Sequence, residues 1–578
     1  MEANSALADA IKNNTVLPAE QLIRIHADAI DHVHPLAERR AESMFARHHW
    51  DTSESELPVD LHGAFFRMKR TIARGLGLDE LAHHTALQWA AWASDRREAA
   101  EIWQARARLA EDEATRYLTF LSDDFSASAD ESEVPLLARM VKELPELRDL
   151  ITGDASAEFK DFSFDGRQAS ESLQPTIQHA QDLSGRERLE AVASDENRRI
   201  GRALLDALLR VEACCIRVGR QDLAAPLQDV LRDLAQRPEE DDLRDAVALM
   251  DARQLHDDGD LMKAARTCAA GLKSPAGEPI TASLAYRQNL AMYSMETEHF
   301  DTALRMLRAN VQATEAQGLD LDHIVSTRLL GQVMIESGDT SNLLAVTSSA
   351  LDATEGMPDS PIVMDVRLHH ATELLGAGRT EEAQPLAEEI AAWSDNTSNH
   401  ARTAHACRIA AIAAFKSGNY AHSAVLYDAL AEVRSRFESR TSPAATLEQA
   451  ATEMNDAAAD PEIVENLMSR AAEYLDTPEE TAHWYRQFAA LKWANWDDVP
   501  ARTNAEKAAE IFTSIDMPLE AADALTYALR SALSSNDDRA SLEYLRRIHE
   551  LAPGDTDIQA TVAQIMADAE TKKSAPAD

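Results

Sequence analysis

The residues best suited to chemistry are histidines gathered near the start of the chain. His32 and His34, His48 and His49, and His83 and His84 form close pairs there. With Asp31 or Glu38 beside them, such imidazoles have the ligand chemistry of a divalent metal site. Their spacing argues against it. Adjacent residues on a helix point about 100° apart, so neither His48-His49 nor His83-His84 turns both rings to one ion. His369-His370 falls inside a helical pattern and reads as a structural or surface pair. The four cysteines, with Cys214 and Cys215 adjacent, offer neither zinc-ligand spacing nor a disulfide framework. Gly-rich phosphate loops, His-Glu-x-x-His and Gly-x-Ser-x-Gly are all missing from the sequence. No catalytic residue, cofactor site or metal site is singled out. The expectation is a protein without catalysis of its own.

The elements that would position any such residue recur. Gly219, Gly259, Gly338, Gly378 and Gly418 are separated by 40, 79, 40 and 40 residues, and Glu298 stands at the missing beat. Five positions after each comes a small or apolar residue: Ala224, Ala264, Ala303, Leu343, Ala383 and Ser423. A turn between two helices, repeated at a fixed period, is the signature of a solenoid. Continuing the step places further turns near Ala458 and Asp498, and the last polar break is Asn536–Asp538. Aromatics make up only 5% of the chain and hydrophobic residues 45%. Strand formers are sparse and rarely alternate, so the expected fold class is all-α.

Single units share more than the turn. Leu290-Ala291 precede Phe300, Ala303 and Leu307. Leu330-Gly331 precede Gly338-Asp339, Leu343 and Ala350. Ala371 is followed by Gly378, Ala383 and Ile390, and Ala411 by Gly418-Asn419-Tyr420, Ser423, Tyr427 and Leu430. A last unit ends Ser541, Leu545, Ile548, Pro553. The pattern resembles the tetratricopeptide repeat, with its small residue at the helix crossing, Gly-polar-aromatic turn and closing Pro. The resemblance covers about Arg186 to Pro553 and departs in period, since that repeat typically runs 34 residues. It implies a long-helix variant folded as a right-handed α-α superhelix.

In the family the first helix of each unit lines the ligand groove. Counting back from the turns, the resemblance implies groove positions at Gln288 and Met292, Arg328 and Gln332, Leu368 and Thr372, then His405, Arg408 and Lys416. The penultimate unit contributes Tyr485, Phe488, Lys492, Asn495 and Trp496. Arg328, Arg408, Lys416 and Lys492 would suit an acidic segment or a C-terminal carboxylate, because cations make charge-assisted bonds to carboxylates. The aromatic run of Trp484, Tyr485, Phe488, Trp493 and Trp496 has two readings: a peptide-recognition surface, or the buried face of a helix for Trp484, Phe488 and Leu491.

Four segments are expected. Residues 1–121 form a helical N-terminal region, with a hairpin made by Leu78–Trp92 and Arg97–Leu121 that reads either as an outlying repeat or as a separate hairpin. Residues 122–185 form a linker and irregular segment that includes Phe159, Phe162 and Phe164. Residues 186–553 form the array, and 554–578 a capping helix and polar tail. Pro35 is read as a helix stop.

The formal net charge is −42. Binding to nucleic acid needs cations that displace counterions, so direct nucleic-acid binding is not expected. Anionic membranes are disfavoured for the same reason. The sequence contains no apolar run of spanning length and no signal-like start. The leading expectation is a cytoplasmic adaptor or scaffold that holds a protein segment in a groove. The alternative is a regulatory sensor whose solenoid binds a peptide or small molecule and controls a partner.

Overall fold

The computed structural model describes residues 2–13, 15–31, 34–96, 99–120, 134–142, 195–236, 241–436, 442–495 and 497–574. The expected linker at 122–133, the segment with the three phenylalanines, His32 and Trp496 lie outside the described residues. The chain divides into two compact units, Met1–Val366 and Arg367–Asp578. Among the described residues every regular element is helical.

The described residues form an all-α array of antiparallel helical hairpins, and the sequence explains where many of its helices begin and end. First helices of successive hairpins begin at Pro279, Asp320, Pro361, His400, Pro443, Pro478 and Pro518, steps of 41, 41, 39, 43, 35 and 40 residues. Proline suits that position because its missing N–H is one that a first turn leaves unpaired anyway. Side-chain caps supply other bonds: Asn399, Asn419, Ser442 and Asp537 each accept from a backbone N–H of the first turn. Thr477 and Glu480 form a reciprocal capping box.

The periodic turns are left-handed. Gly219, Gly259, Gly338, Gly378 and Gly418 have φ between 73° and 82°. Glu298, at the missing beat, adopts φ 59°, Ala458 φ 55° and Asn536 φ 53°. An added Cβ at Gly418 would meet nothing within 4 Å, so its glycine serves backbone conformation and not packing. Near the turn expected at Asp498, Asn495 caps the end of one helix and Asp498 opens the next. The residues five positions on from the turn glycines and Glu298, from Ala224 to Ser423, are all buried. Ser423 Oγ donates to the carbonyl of Ala411 at 2.8 Å, tying the second helix of its hairpin to the crossing point of the first.

In the first unit the helices Glu2–Lys12, Ala19–Asp31, Pro35–His48, His62–Gly75, Asp79–Arg96 and Ala99–Phe120 precede the array. The last two pair as expected, with their junction at residues 97–98 outside the described set. The helix Ala19–Asp31 does end before Pro35, and Pro35 also occupies the first turn of a new helix after His34. These helices share one core with the repeats, in which Leu22, Phe45, Phe65 and Ile72 meet Ile324, Ala350, Met357 and Val363. Arg39 donates to Asp322 at 2.7 Å, and the N–H of Ile362 to the carbonyl of Leu76 at 3.3 Å.

The second unit packs hairpins from Thr380–Asn396 to Asp538–Leu551, closed by Thr556–Ser574. Its core is rich in alanine: Ala482, Ala489, Ala505, Ala509, Ala521, Ala528 and Ala532 surround Phe512. Small side chains let helix backbones approach, as the abundance of alanine leads one to expect.

Candidate functional site

The first helix His400–Lys416 buries Ala404, Cys407, Ala411 and Ala414 and leaves His405, Arg408 and Lys416 exposed. Those residues, with the half-buried Ile412, follow helical spacing, so one face is free of the core. Arg408, Ile412, Phe415 and Lys416 line a cavity of about 320 Å³. Its far wall comes from Tyr427, Leu430 and Arg434 on Tyr420–Ser435, and from Thr446, Gln449 and Glu453 on Pro443–Asp456. A cavity of that size, lined by several convergent polar groups beside Ile412, Phe415 and Leu430, is a candidate ligand site.

Three cations face this cavity against one carboxylate. Among the described residues Arg408 and Lys416 have no ion-pair or hydrogen-bond partner. Arg434 donates to the Thr446 hydroxyl and has no carboxylate of its own. Burial, and after it the nearby Arg408, hold the Arg434 guanidinium below its usual range. Glu453 accepts from Gln449 Nε2 at 2.8 Å. Burial and then Glu453 push the Tyr427 phenol up to about 12, so it stays a neutral donor. Desolvation, followed by His369 and Arg408, holds the His405 imidazole low. The electrostatics of the cavity are therefore positive and partly dehydrated, in a chain that is strongly acidic.

The other groove candidates sit elsewhere. Gln288 is half-buried on Pro279–Glu296, and Met292 is exposed on the same helix. Arg328 is exposed on Asp320–Ser337 without a partner among the described residues, while Gln332 donates to Glu336 at 3.0 Å. Leu368 is buried. A second cavity of about 360 Å³ in the first unit is lined by Arg308, Leu330 and Met334, but Arg308 already faces Asp339 at 2.9 Å.

The aromatic helix Pro478–Ala494 is a packing element. Trp484 is buried and its indole N–H donates to the Met468 carbonyl at 2.8 Å. Leu491 is buried and Phe488 half-buried against the same core. Tyr485 packs edge-on to Trp484 with centroids 4.8 Å apart, and Lys507 lies over its ring. Lys492 is committed to Glu465 and, at 3.5 Å, to Asp497. Asn495 donates to Asn455 at 3.0 Å. Of the expected cations, then, Arg408 and Lys416 converge on one cavity, and Lys492 is neutralised by its own fold.

Counting along first helices could not reach Arg434 or Tyr427, which stand on the second helix Tyr420–Ser435, and the count passed over the first helix Pro443–Asp456 that carries Gln449 and Glu453. A signal for Arg434 does exist. Stepping by 40 gives Thr314, Thr354, Ser394 and then Arg434, so a cation breaks a column of small buried hydroxyls.

No family model matches the sequence, and no curated protein matches it. Solved structures of similar build include a tetratricopeptide repeat protein from Parabacteroides merdae, 15% identical over 48% of this chain and 97% of that one, TM-score 0.29. The apo form of RapI is 10% identical over 72% of this chain and 99% of that one, TM-score 0.37. The apo quorum sensor NprR from B. thuringiensis is 13% identical over 60% and 97%, TM-score 0.30. Among the described residues no helix is long and apolar enough to cross a membrane.

Proposed function

We propose that the protein is an adaptor that binds an extended segment of a partner protein in the groove of its second unit. Arg408 and Arg434 hold an acidic side chain or a C-terminal carboxylate, Lys416 adds charge, and apolar side chains settle on Ile412, Phe415 and Leu430. The observation that carries this reading is the pair of guanidiniums crowded together without a carboxylate of their own. Most arginines of the described chain face an acid; here two face each other across a cavity. A carboxylate entering between them relieves like-charge repulsion and gains charge-assisted hydrogen bonds. Nothing in this groove resembles a nucleophile and its base, which supports binding without catalysis. The four cysteines are free and buried, which fits the reducing cytoplasm proposed as its place of work.

The test is affinity capture from native lysate by the wild-type chain and by Arg408→Glu/Arg434→Glu, with folding of both checked by circular dichroism. A captured partner should be lost by the variant. A peptide copied from it should then bind roughly tenfold or more weakly to the variant, the scale of a lost charged hydrogen bond. Equal capture by both proteins would remove the groove from the function. If the peptide also shifts the scattering radius, the protein is a sensor and not a passive adaptor.

A further inference from the structure

The strongest chemistry outside the groove lies in the first unit, between the helices Ala19–Asp31 and Pro35–His48. His26 comes from the first of these. Glu38 and Glu42, four residues apart and so on one face, come from the second. One ligand atom from each of the three residues lies within 4.8 Å of the others. His26 Nε2 and Glu42 Oε1 are 3.2 Å apart. His26 is completely buried, Glu42 is buried and Glu38 is partly so.

Two polar groups in this trio have nothing to bond. His26 Nδ1 is buried without a hydrogen-bond partner. Glu38 makes no hydrogen bond or ion pair among the described residues. The surrounding arginines do not serve them, because each has its own carboxylate. Arg39 faces Asp322 at 2.7 Å, Arg67 faces Glu101 at 3.3 Å and Arg108 faces Asp206 at 3.4 Å. Arg67 also donates to Gln104. Two carboxylates and an imidazole thus meet in one largely buried space, and among the described residues no Lys or Arg lies within ion-pair distance of either carboxylate. Burial of an unpaired carboxylate is costly, and the ordinary remedies are a proton or a metal.

We propose that His26, Glu38 and Glu42 form a binding site for one divalent transition-metal ion of the zinc type. One imidazole nitrogen and two carboxylate oxygens are a ligand set zinc accepts, at about 2.0–2.2 Å each. Tetrahedral bonds of that length place ligand atoms roughly 3.3–3.6 Å apart, slightly wider than the His26–Glu42 separation. The wider gaps close by rotation of the Glu38 side chain, which no bond restrains. Such an ion would clamp the two N-terminal helices to each other, and its fourth position would be left to water.

The experiment uses the full chain, stripped with a chelator and titrated with Zn²⁺ by calorimetry. The stripped chain is then loaded with Co²⁺ and its visible spectrum recorded. The expected result is one tight equivalent, a higher Tm, and the absorption of low-coordinate Co²⁺. Glu38→Gln is the key variant, since that side chain is partly exposed and unbonded and its loss should leave the fold intact. It should weaken Zn²⁺ at least about tenfold, on the scale of damaged metal sites. Glu42→Gln should do the same and should also abolish the Co²⁺ spectrum. Absence of a tight equivalent in the wild-type chain overturns the proposal. So does unchanged binding in Glu38→Gln and Glu42→Gln, which would assign the ion to exposed side chains elsewhere, such as His48.

Discussion

At the scale of single residues, close approach decides more than composition suggests. Gly271 on the helix Leu261–Lys273 lies under the ring of Tyr286. A Cβ added there would stand 2.1 Å from the Tyr286 Cζ. The ring has no room to yield, because Tyr286 is buried and its hydroxyl donates to Asp245 at 2.8 Å. Asp245 in turn accepts from the backbone N–H groups of Ala276 and Gly277, so the whole corner is tied. Gly271→Ala should therefore destabilise by about 1–3 kcal/mol, the usual range for overpacking, read from urea unfolding. An unchanged midpoint would mean that Tyr286 is not fixed. Gly271 carries no sequence signal, since it is off the 40-residue column and its partner lies on the following helix. His26 was equally hidden. The visible histidine pairs draw attention, but His26 stands alone in an amphipathic helix, and Pro35 masks the helix that brings Glu38 and Glu42 to it.

At the scale of the element, the turn column is where sequence and structure agree most closely. Glycine at a fixed step marks a left-handed turn because only that residue enters the region freely. The same logic reads the exceptions. Glu298 takes φ 59° at a position where its counterparts are glycine. A side chain in that region costs about 1–2 kcal/mol, partly offset by the greater chain entropy that glycine loses on folding. Glu298→Gly should therefore stabilise by about 0.5–1 kcal/mol, and Gly338→Ala at the equivalent turn should destabilise. Thermal melts of the two variants should move in opposite directions. Helix faces were harder to read than turns. The tetratricopeptide-like register placed Arg408 and Lys416 on an open face, but it placed Lys492 there too. Lys492 is claimed by Glu465 from the preceding second helix and by Asp497 beyond the turn. Ion pairs between helices depend on superhelical geometry, which a one-dimensional period does not contain.

At the scale of the whole molecule, charge is the dominant fact. A net charge of −42 sets like charges along the entire array and opposes its compact state. Salt should relieve this: the screening length falls from about 30 Å at 0.01 M to about 8 Å at 0.15 M. Tm should therefore rise over that range, where a protein stabilised mainly by surface ion pairs would lose stability. The acidity was legible at once. The union of the N-terminal helices with the repeats was not, because a core shared by residues 22 and 363 leaves no trace in local periodicity.

That shared core has a consequence for synthesis. Most hairpins close between neighbours in sequence, and such contacts form quickly. The Arg39–Asp322 pair joins residues 283 apart. At about 5–20 residues per second, a ribosome takes roughly 15–60 s to deliver Asp322 after Arg39 has emerged. Throughout that interval the faces of Leu22, Phe45 and Phe65 that will meet Ile324 and Val363 have no partner. The first helices of the nascent chain must therefore wait, with apolar surface uncovered, for the middle of the protein to be made. That interval is when a chaperone would find its substrate.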